Sequence, residues 1–229
     1  MSSPSAVPLH WKPVGAPRPL SFHGRYVTLE PLDADRHTPS LWEAVRGHDD
    51  VWTWLSDGPY ECEADLYRAI ADKQASGAAV FLAIVPEGER PAATAYPAAA
   101  GYASFMRIEP AHGVIEVGNI LFSPRLQRTR AATEAMYLMA RHIFDDLGYR
   151  RYEWKCNAEN APSRRAALRL GFSFEGIFRQ HMVIKDRNRN TAWFAMLDTE
   201  WPARKLALEA WLDTSNFDCK GMQQRQLKV

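Results

Sequence analysis

The sequence predicts an α+β, or layered α/β, fold built on a mixed sheet. Strand-like and helix-like segments alternate, hairpin connections lie near both ends, and a strand, a short turn and a long amphipathic helix form the centre. The central helix should begin near Thr129 and end at Gly148, which suits a left-handed C-terminal cap. Its apolar residues follow the spacing of one buried helical face: Ala132, Ala135, Met136, Met139, Ala140, Ile143, Phe144 and Leu147.

The segments before this centre are predicted from alternation, capping and turn residues. Residues 25–31 alternate as a first strand, and Asp33 can cap the helix that follows. A Ser-Asp-Gly-Pro turn at 56–59 precedes a second helix, which Gly77 stops. The predicted helices span 33–46 and 63–76, the later strands span 80–85, 100–109 and 113–122, and 86–99 is a loop or hairpin connection.

The segments after the centre complete the sheet. Asn160 can cap a short helix that tolerates Pro162 in its first turn and ends at Gly171. A last amphipathic helix closes the domain. The predicted strands span 151–156, 172–179, 182–184 and 191–197, with a polar turn over 186–190 and the last helix over 201–212.

Composition restricts the class of protein. Twenty-eight basic and 27 acidic residues give a net charge of +1, so no overall field favours nucleic acid or a membrane surface. No apolar run approaches the roughly 20 residues that span a bilayer. Three separated cysteines argue against a disulfide framework, and the histidines lack metal-ligand spacing. We therefore expect a cytoplasmic protein without a bound metal.

The 229 residues and 46% hydrophobic content suit one compact domain. We expect an extended, Pro-rich lead-in over 1–21, a domain over 22–212 and a tail over 213–229. The N-terminal residues lack an apolar signal core. Four apolar residues of the last helix either cover the domain or pair with a second copy as a homodimer: Trp201, Leu206, Leu208 and Trp211.

A basic turn precedes the central helix and predicts an anion site. Arg125, Arg128 and Arg130 lie where unpaired backbone N–H groups and the positive end of the helix dipole coincide. The turn and helix carry the string Gln127-x-x-Arg130-x-Ala132. Downstream, Asn157-x-x-Asn160-x-x-Ser163 precedes a helix that ends in Leu-Gly-Phe-x-x-Glu-Gly.

These strings resemble the GCN5-related N-acetyltransferases (GNAT), in particular the RimJ/RimL-like branch, over about residues 22–198. Arg130 stands where that family usually has Gly. The resemblance implies a mixed, mostly antiparallel sheet with helices on both faces, splayed after the strand that ends at Phe122. It also implies acetyl-CoA as co-substrate, bound by Ile120, Leu121, Phe122, Gln127, Arg128, Thr129, Arg130, Ala131, Ala132, Asn157, Asn160 and Ser163.

Acyl transfer to an amine needs a base, an oxyanion donor and a proton for the thiolate. We assign the base to Glu116, whose otherwise apolar strand should raise its pKa; the alternative is a carboxylate that faces solvent or an Arg. Glu30 and Glu175 are less favoured. Ser163 is the proton source implied by the resemblance, or else only a first-turn residue, and Cys156 is assigned to packing because nothing near it in sequence activates it.

The resemblance places the acceptor between the first two helices, near Trp52, Trp54 and Tyr60, although these aromatic residues also suit a core. Arg179, Gln180 and His181 can approach from the late strands. We expect an N-acetyltransferase that acts on a primary amine, such as a protein N-terminal α-amine. The alternatives are a different acyl-CoA such as succinyl-CoA with a small amine, or a CoA-binding or sensing module without catalysis. A nucleotide-binding domain ranks last, because no Gly-rich phosphate string is present.

Overall fold

The computed structural model describes residues 10–88, 98–219 and 221–229. Its strands are β1 (Phe22–His23), β2 (Val27–Pro31), β3 (Ala79–Pro86), β4 (Gly101–Glu109), β5 (Val114–Phe122), β6 (Arg151–Asn157), β7 (Ser173–Ile184) and β8 (Arg187–Leu197). Its helices are α1 (Ala34–Val45), α2 (Glu63–Ala75), α3 (Arg130–Arg141), α4 (Ala161–Arg169) and α5 (Trp201–Leu212). Short 3-10 turns cover Asp49–Trp52 and Thr214–Asn216, and α3 continues as a π-helical turn over His142–Asp146.

The described strands form one sheet in the order β1-β2-β3-β4-β5-β6-β8-β7. Every neighbouring pair is antiparallel except β5 and β6, which are parallel. This pair is registered only from Val114 opposite Arg151 to Val117 opposite Trp154. Beyond these residues the two strands separate. The predicted mixed, mostly antiparallel sheet that splays at its centre is confirmed.

Strand β5 carries an irregularity at the point of separation. Gly118 pairs with Ser104 of β4, whereas Leu121 pairs with Tyr102, so β5 holds one extra residue. Asn119 adopts a positive φ of 50° there. Such a bulge bends a strand and leaves backbone groups outside the ladder.

The two faces of the sheet carry separate hydrophobic clusters. Helix α3 packs on one face, where its predicted apolar residues are buried or partly buried. Helices α1 and α2 cover the other face over β3 and β4. Local caps start two of these helices: Asp33 accepts the Arg36 N–H in α1, and Thr129 accepts the Ala132 N–H in α3. Gly148, at a φ of 72°, follows the end of the α3 segment, as predicted.

Helix α5 covers the outer side of α3. Trp201 stacks on Phe144 and Tyr137, with ring centroids 5.2 and 6.2 Å apart. Trp201, Leu208 and Trp211 are buried within the chain, while Leu206 is 68% exposed. The alternative that α5 covers its own domain therefore accounts for three of the four apolar residues considered from sequence.

The lead-in and the tail both contact the domain. Trp11 Nε1 donates to the Ala111 carbonyl at 2.8 Å. Asn216 is fully buried, and its amide donates to the carbonyls of Trp211 and Arg225 at 2.9 and 3.3 Å. The tail after α5 is thereby folded back on the helix.

Two predicted boundaries are wrong. The polar turn assigned to 186–190 is a tight turn at Lys185 and Asp186, which have positive φ values of 50° and 56°, and β8 begins at Arg187. Strands assigned to 172–179 and 182–184 form the single strand β7, whose register shifts near Gln180. Most of the predicted 86–99 connection lies outside the described residues.

Within the described part of the chain, no helix has the length and apolar character needed to cross a membrane.

Candidate active site

The turn between β5 and α3 gathers backbone N–H groups at a helix N-terminus. The Ser123 carbonyl accepts hydrogen bonds from the N–H groups of Leu126 and Gln127, at 2.9 and 3.0 Å. Arg128 has a positive φ of 62°, which reverses the chain before Thr129 caps α3. An anion here would meet the positive end of the helix dipole.

Only part of the predicted pyrophosphate loop offers N–H donors. The Gln127 N–H is already bonded in the turn, the Thr129 N–H donates to the Leu126 carbonyl at 3.3 Å, and the Ala132 N–H donates to the Thr129 hydroxyl at 3.1 Å. The expectation that every N–H from Gln127 to Ala132 faces phosphate is therefore too broad. Three N–H groups have no acceptor among the described residues: those of Arg128, Arg130 and Ala131.

The side chain of Arg130 faces aromatic rings. Its guanidinium carbon lies 4.5 Å from the centre of the Tyr26 ring and 5.4 Å from that of Phe217. The predicted phosphate contact by this side chain is replaced by cation–π packing against β2 and the tail. Because Arg130 is the first residue of α3, its backbone is helical, and a side chain is tolerated where the family usually has Gly.

The gap between β5 and β6 is bordered by the start of α4. Asn160 Oδ1 accepts the Ser163 N–H at 3.1 Å, so Asn160 is a helix cap, and its amide nitrogen stays available to a ligand. Asn157 Oδ1 accepts the Glu159 N–H at 3.0 Å. Trp154 Nε1 donates to Ser163 Oγ at 2.9 Å, which leaves the Ser163 proton to donate elsewhere.

Cys156 lies beside Ser163 on the wall of the gap. Burial raises the pKa of the Cys156 thiol, and contact with Ser163 offsets this only in part. A protonated, buried thiol is a poor nucleophile. This agrees with assigning Cys156 to packing.

Glu116 is a buried carboxylate held between two cations. It is 3% exposed, and its Oε2 lies 2.6 Å from Arg107 Nη1 and 3.0 Å from Lys155 Nζ. The apolar surroundings assumed from sequence are therefore wrong, and the alternative of a carboxylate facing an Arg is found. Among the described residues no donor reaches its other oxygen, Oε1.

Glu116 belongs to a chain of alternating charges that crosses four strands, here called the charge chain. Lys155 joins Glu116 to Glu153, which it contacts at 2.6 Å, and stacks over Trp193 at 3.9 Å. Lys155 is only 5% exposed in its side chain. In order along the sheet, the members are Glu175, Arg151, Glu153, Lys155, Glu116 and Arg107.

Residues 27–173 match the sequence model described as the acetyltransferase (GNAT) domain. The chain belongs to the GNAT acetyltransferase family. A GCN5-related N-acetyltransferase structure from Brucella melitensis is 47% identical, with a TM-score of 0.90, over 95% of this chain and 96% of that one. A GNAT-family structure from Chromobacterium violaceum is 38% identical, with a TM-score of 0.78, over 88% and 98% of the two chains.

Among characterised sequences, the ribosomal-protein-serine acetyltransferase of Escherichia coli is 33% identical over 86 residues, which are 38% of this chain and 48% of that protein. The chain spans about half the length of the curated relatives it matches. The family predicted from sequence is confirmed. The name of the Escherichia coli relative, a ribosomal-protein-serine acetyltransferase, agrees with the predicted RimJ/RimL-like branch.

Trp52, which was predicted to lie near the acceptor, is a core residue. Its ring is 2% exposed, packs edge-on against Tyr60 with centroids 5.1 Å apart, and leaves no room for a Cβ at Gly58. Trp52 is therefore not placed to line an acceptor site. Trp54 is 37% exposed, and Tyr60 is half-buried with its hydroxyl 2.8 Å from Asp57.

The β7–β8 hairpin of the GNAT domain reaches the 3-10 turn that ends at Trp52. Lys185 Nζ donates to the Trp52 carbonyl at 2.9 Å. His181 Nδ1 lies 2.9 Å from the Thr191 hydroxyl. Arg179 and Gln180 border a polar depression with Asn188 and Asn190.

Sequence reasoning missed the two cations that contact Glu116, Arg107 and Lys155. For Lys155 a signal existed, because the strand Arg-Tyr-Glu-Trp-Lys-Cys alternates charged and apolar residues in a position central to the sheet. Arg107 gave no such signal. Met106 pairs with Glu116, so Arg107 would face away in a regular strand; a β4 bulge and a positive φ of 45° turn it back.

Proposed function

We propose that this GNAT domain transfers the acetyl group of acetyl-CoA directly to a primary amine, such as a protein N-terminal α-amine. The observation that carries the proposal is the gap between β5 and β6. The Ser163 hydroxyl, held by Trp154, lies on one side of the gap. The buried carboxylate of Glu116 lies next to the point where β5 and β6 begin to separate.

The residues at the start of α3 and α4 suit the CoA moiety. The N–H groups of Arg128, Arg130 and Ala131 would bind the pyrophosphate, while the side chain of Gln127 supports the end of β5 by donating to the Phe122 carbonyl at 3.0 Å. The amide of Asn160, with Asn157 beside it, would bind the pantetheine arm. Gln127, Thr129 and Ala132 hold the loop in shape through their own hydrogen bonds.

The strand irregularity at Asn119 supplies the oxyanion donor in this proposal. Beyond Val117, β5 has no ladder partner on its β6 edge among the described residues. A backbone N–H within Ile120, Leu121 and Phe122 would therefore point into the gap and stabilise the oxyanion as the amine nitrogen attacks the thioester carbon.

Two side chains would move the protons. Glu116 would accept a proton from the attacking amine through Oε1, directly or through a water. As the C–S bond breaks, Ser163 would donate its hydroxyl proton to the departing thiolate, because its oxygen already accepts the Trp154 N–H. The resulting alkoxide would take up a proton from solvent.

The acceptor would lie over Glu116, between Trp54, Tyr60 and the β7–β8 hairpin. The three cysteines are free, which supports a reducing, cytoplasmic location. Ile120, Leu121 and Phe122 keep their proposed place at the donor, while Trp52 contributes only by packing.

Free-thiol release from acetyl-CoA across a panel of primary amines tests this proposal, with intact mass of the protein recorded in parallel. We expect thiol release that depends on an amine and acetylated amine as product. The protein mass should not change when acetyl-CoA is added alone. Acetylation of Cys156 without amine would contradict direct transfer. The absence of thiol release with every amine would contradict the proposed enzymatic activity.

A further inference from the structure

A partly buried guanidinium stands next to the charge chain without a carboxylate of its own. Arg189 lies on β8, and its Nε donates to the Thr191 hydroxyl at 3.2 Å. No Asp or Glu oxygen among the described residues lies within the 4.0 Å of an ion pair. Thr191 pairs with Asn157 at the end of β6, and Trp193 pairs with Lys155, whose ammonium lies over its ring. Because alternate residues of a strand share a face, Arg189 lies on the face of the sheet that carries Lys155 and the charge chain. Burial lowers the pKa of Arg189, whereas Cys156 and Glu116 act to raise it.

The charge chain cannot neutralise Arg189. Its three carboxylates are each matched by a cation in the same chain, ending with Arg107 on Glu116. Arg189 is therefore an additional positive charge near the end of β6, the strand that borders the gap. A partly desolvated cation without a counter-charge favours binding of an anion.

Arg107 offers a second guanidinium on the same face of the sheet, where it contacts Glu116 beside Lys155. Its charge lowers the pKa of Arg189 further. Arg107 is 41% exposed, and only its Nη1 contacts Glu116. The strained backbone that turns Arg107 onto this face is a feature that often accompanies a function. Planar guanidinium groups match the two oxygens of a carboxylate.

We propose that Arg189, with Arg107 beside it, binds a carboxylate carried by one of the two substrates. The carboxylate comes either from the far end of a short dicarboxylic acyl group or from an acceptor in which it lies close to the amine. This rests on the proposed acyl transfer and adds a substrate class to it.

Calorimetry with CoA ligands tests this without turnover. The first two ligands are acetyl-CoA and succinyl-CoA. The other two are thioether analogues in which an acetamide joins the CoA sulfur to glycine or to methylamine. Each is titrated into the wild type, Arg189→Gln, Arg189→Lys and Arg187→Gln. Arg187 lies two residues away on the same strand face and is exposed, so it is the matched control.

We expect one carboxylate-bearing ligand to bind the wild type at least tenfold more tightly than its neutral counterpart. Arg189→Gln should weaken that ligand about tenfold to 100-fold and change the neutral one less than about twofold. Arg189→Lys should restore part of the difference, and Arg187→Gln should change neither ligand. A preference for succinyl-CoA identifies the acyl chain as the source, and a preference for the glycine analogue identifies the acceptor.

Equal binding of charged and neutral members in both pairs would overturn the carboxylate site while leaving acyl transfer intact. So would an equal loss of both members in Arg189→Gln. If none of the four CoA ligands binds the wild type, the proposed function fails, and the carboxylate site fails with it.

Discussion

The two sides of the gap are built in different ways. The donor side, which we define as the β5–α3 turn together with Asn160 and Ser163, uses backbone N–H groups and local helix caps. The acceptor side, which we define as the charge chain and the β7–β8 hairpin, uses side chains from separate strands. Local hydrogen bonds position the first, and long-range ion pairs position the second. The two sides should therefore respond differently to substitution.

The largest expected effect is on stability, at the centre of the charge chain. Lys155→Met would leave Glu116 and Glu153 buried without their shared cation, which should lower the free energy of unfolding by about 3 kcal/mol. Urea unfolding measures this. Lys205→Met removes a more exposed pair with Asp145 and should cost less than about 1 kcal/mol. An equal loss of unfolding free energy in Lys155→Met and Lys205→Met would mean that the charge chain stabilises the protein no more than an exposed ion pair does.

The second effect concerns catalysis on the acceptor side. Glu116→Gln keeps the shape of the side chain but removes the proton acceptor, so kcat should fall about 100-fold with little change in donor affinity. Steady-state thiol release and calorimetry with acetyl-CoA separate the two quantities. Glu109→Gln, an exposed carboxylate at the end of β4, is the control and should behave as the wild type. A loss confined to acetyl-CoA affinity would remove Glu116 from the base role.

A smaller effect is expected on the donor side, at the position where the family usually has Gly. Because the Arg130 guanidinium packs on Tyr26 and Phe217, Arg130→Ala should change the affinity for acetyl-CoA less than about threefold. It should lower stability by about 1 kcal/mol through lost cation–π packing. When Phe217→Ala is added to Arg130→Ala, no further stability should be lost through the Arg130–Phe217 contact, because that contact is already absent. A tenfold loss of acetyl-CoA affinity in Arg130→Ala would restore the side chain as a phosphate ligand.

The smallest effect lies outside the site and depends on pH. Burial raises the pKa of Glu30, but hydrogen bonds and charges from His37 and Arg36 outweigh it, and the net pKa is lowered. A lowered folded-state pKa contributes stability above the unfolded value of about 4.5, which is lost as the pH falls through the folded pKa. As the pH falls from about 6 to about 3, the range in which carboxylates titrate, the melting temperature of Glu30→Gln should fall less steeply than that of the wild type. An identical dependence of melting temperature on pH in the wild type and Glu30→Gln would show that Glu30 does not make this contribution.

The donor side could be predicted from sequence because its determinants are close together in the chain. Thr129 and Asn160 cap the helices that they precede, and Gly148 ends the α3 segment. The splayed sheet was predicted only through family resemblance, since residue patterns do not show which strands pair in parallel. The available N–H groups of the loop depended on hydrogen bonds that the motif does not encode.

The acceptor side could not be predicted in the same way. Contact among Arg107, Glu116 and Lys155 requires the register of three strands and a bulge in β4. The apolar neighbours of Glu116 in sequence point to the opposite face, so they gave a false impression of its surroundings. A tryptophan such as Trp52 is typical both of binding sites and of hydrophobic cores. Only its burial in the structure shows that it belongs to the core.

A crystal structure of the protein with acetyl-CoA tests the central claim most directly. We predict that the pantetheine arm lies between β5 and β6, with the thioester sulfur within about 3.5 Å of Ser163 Oγ. The acetyl group should point toward Glu116 and the pyrophosphate toward the N–H groups at the start of α3. Acetyl-CoA bound outside this gap, or with its sulfur remote from Ser163, would contradict the account.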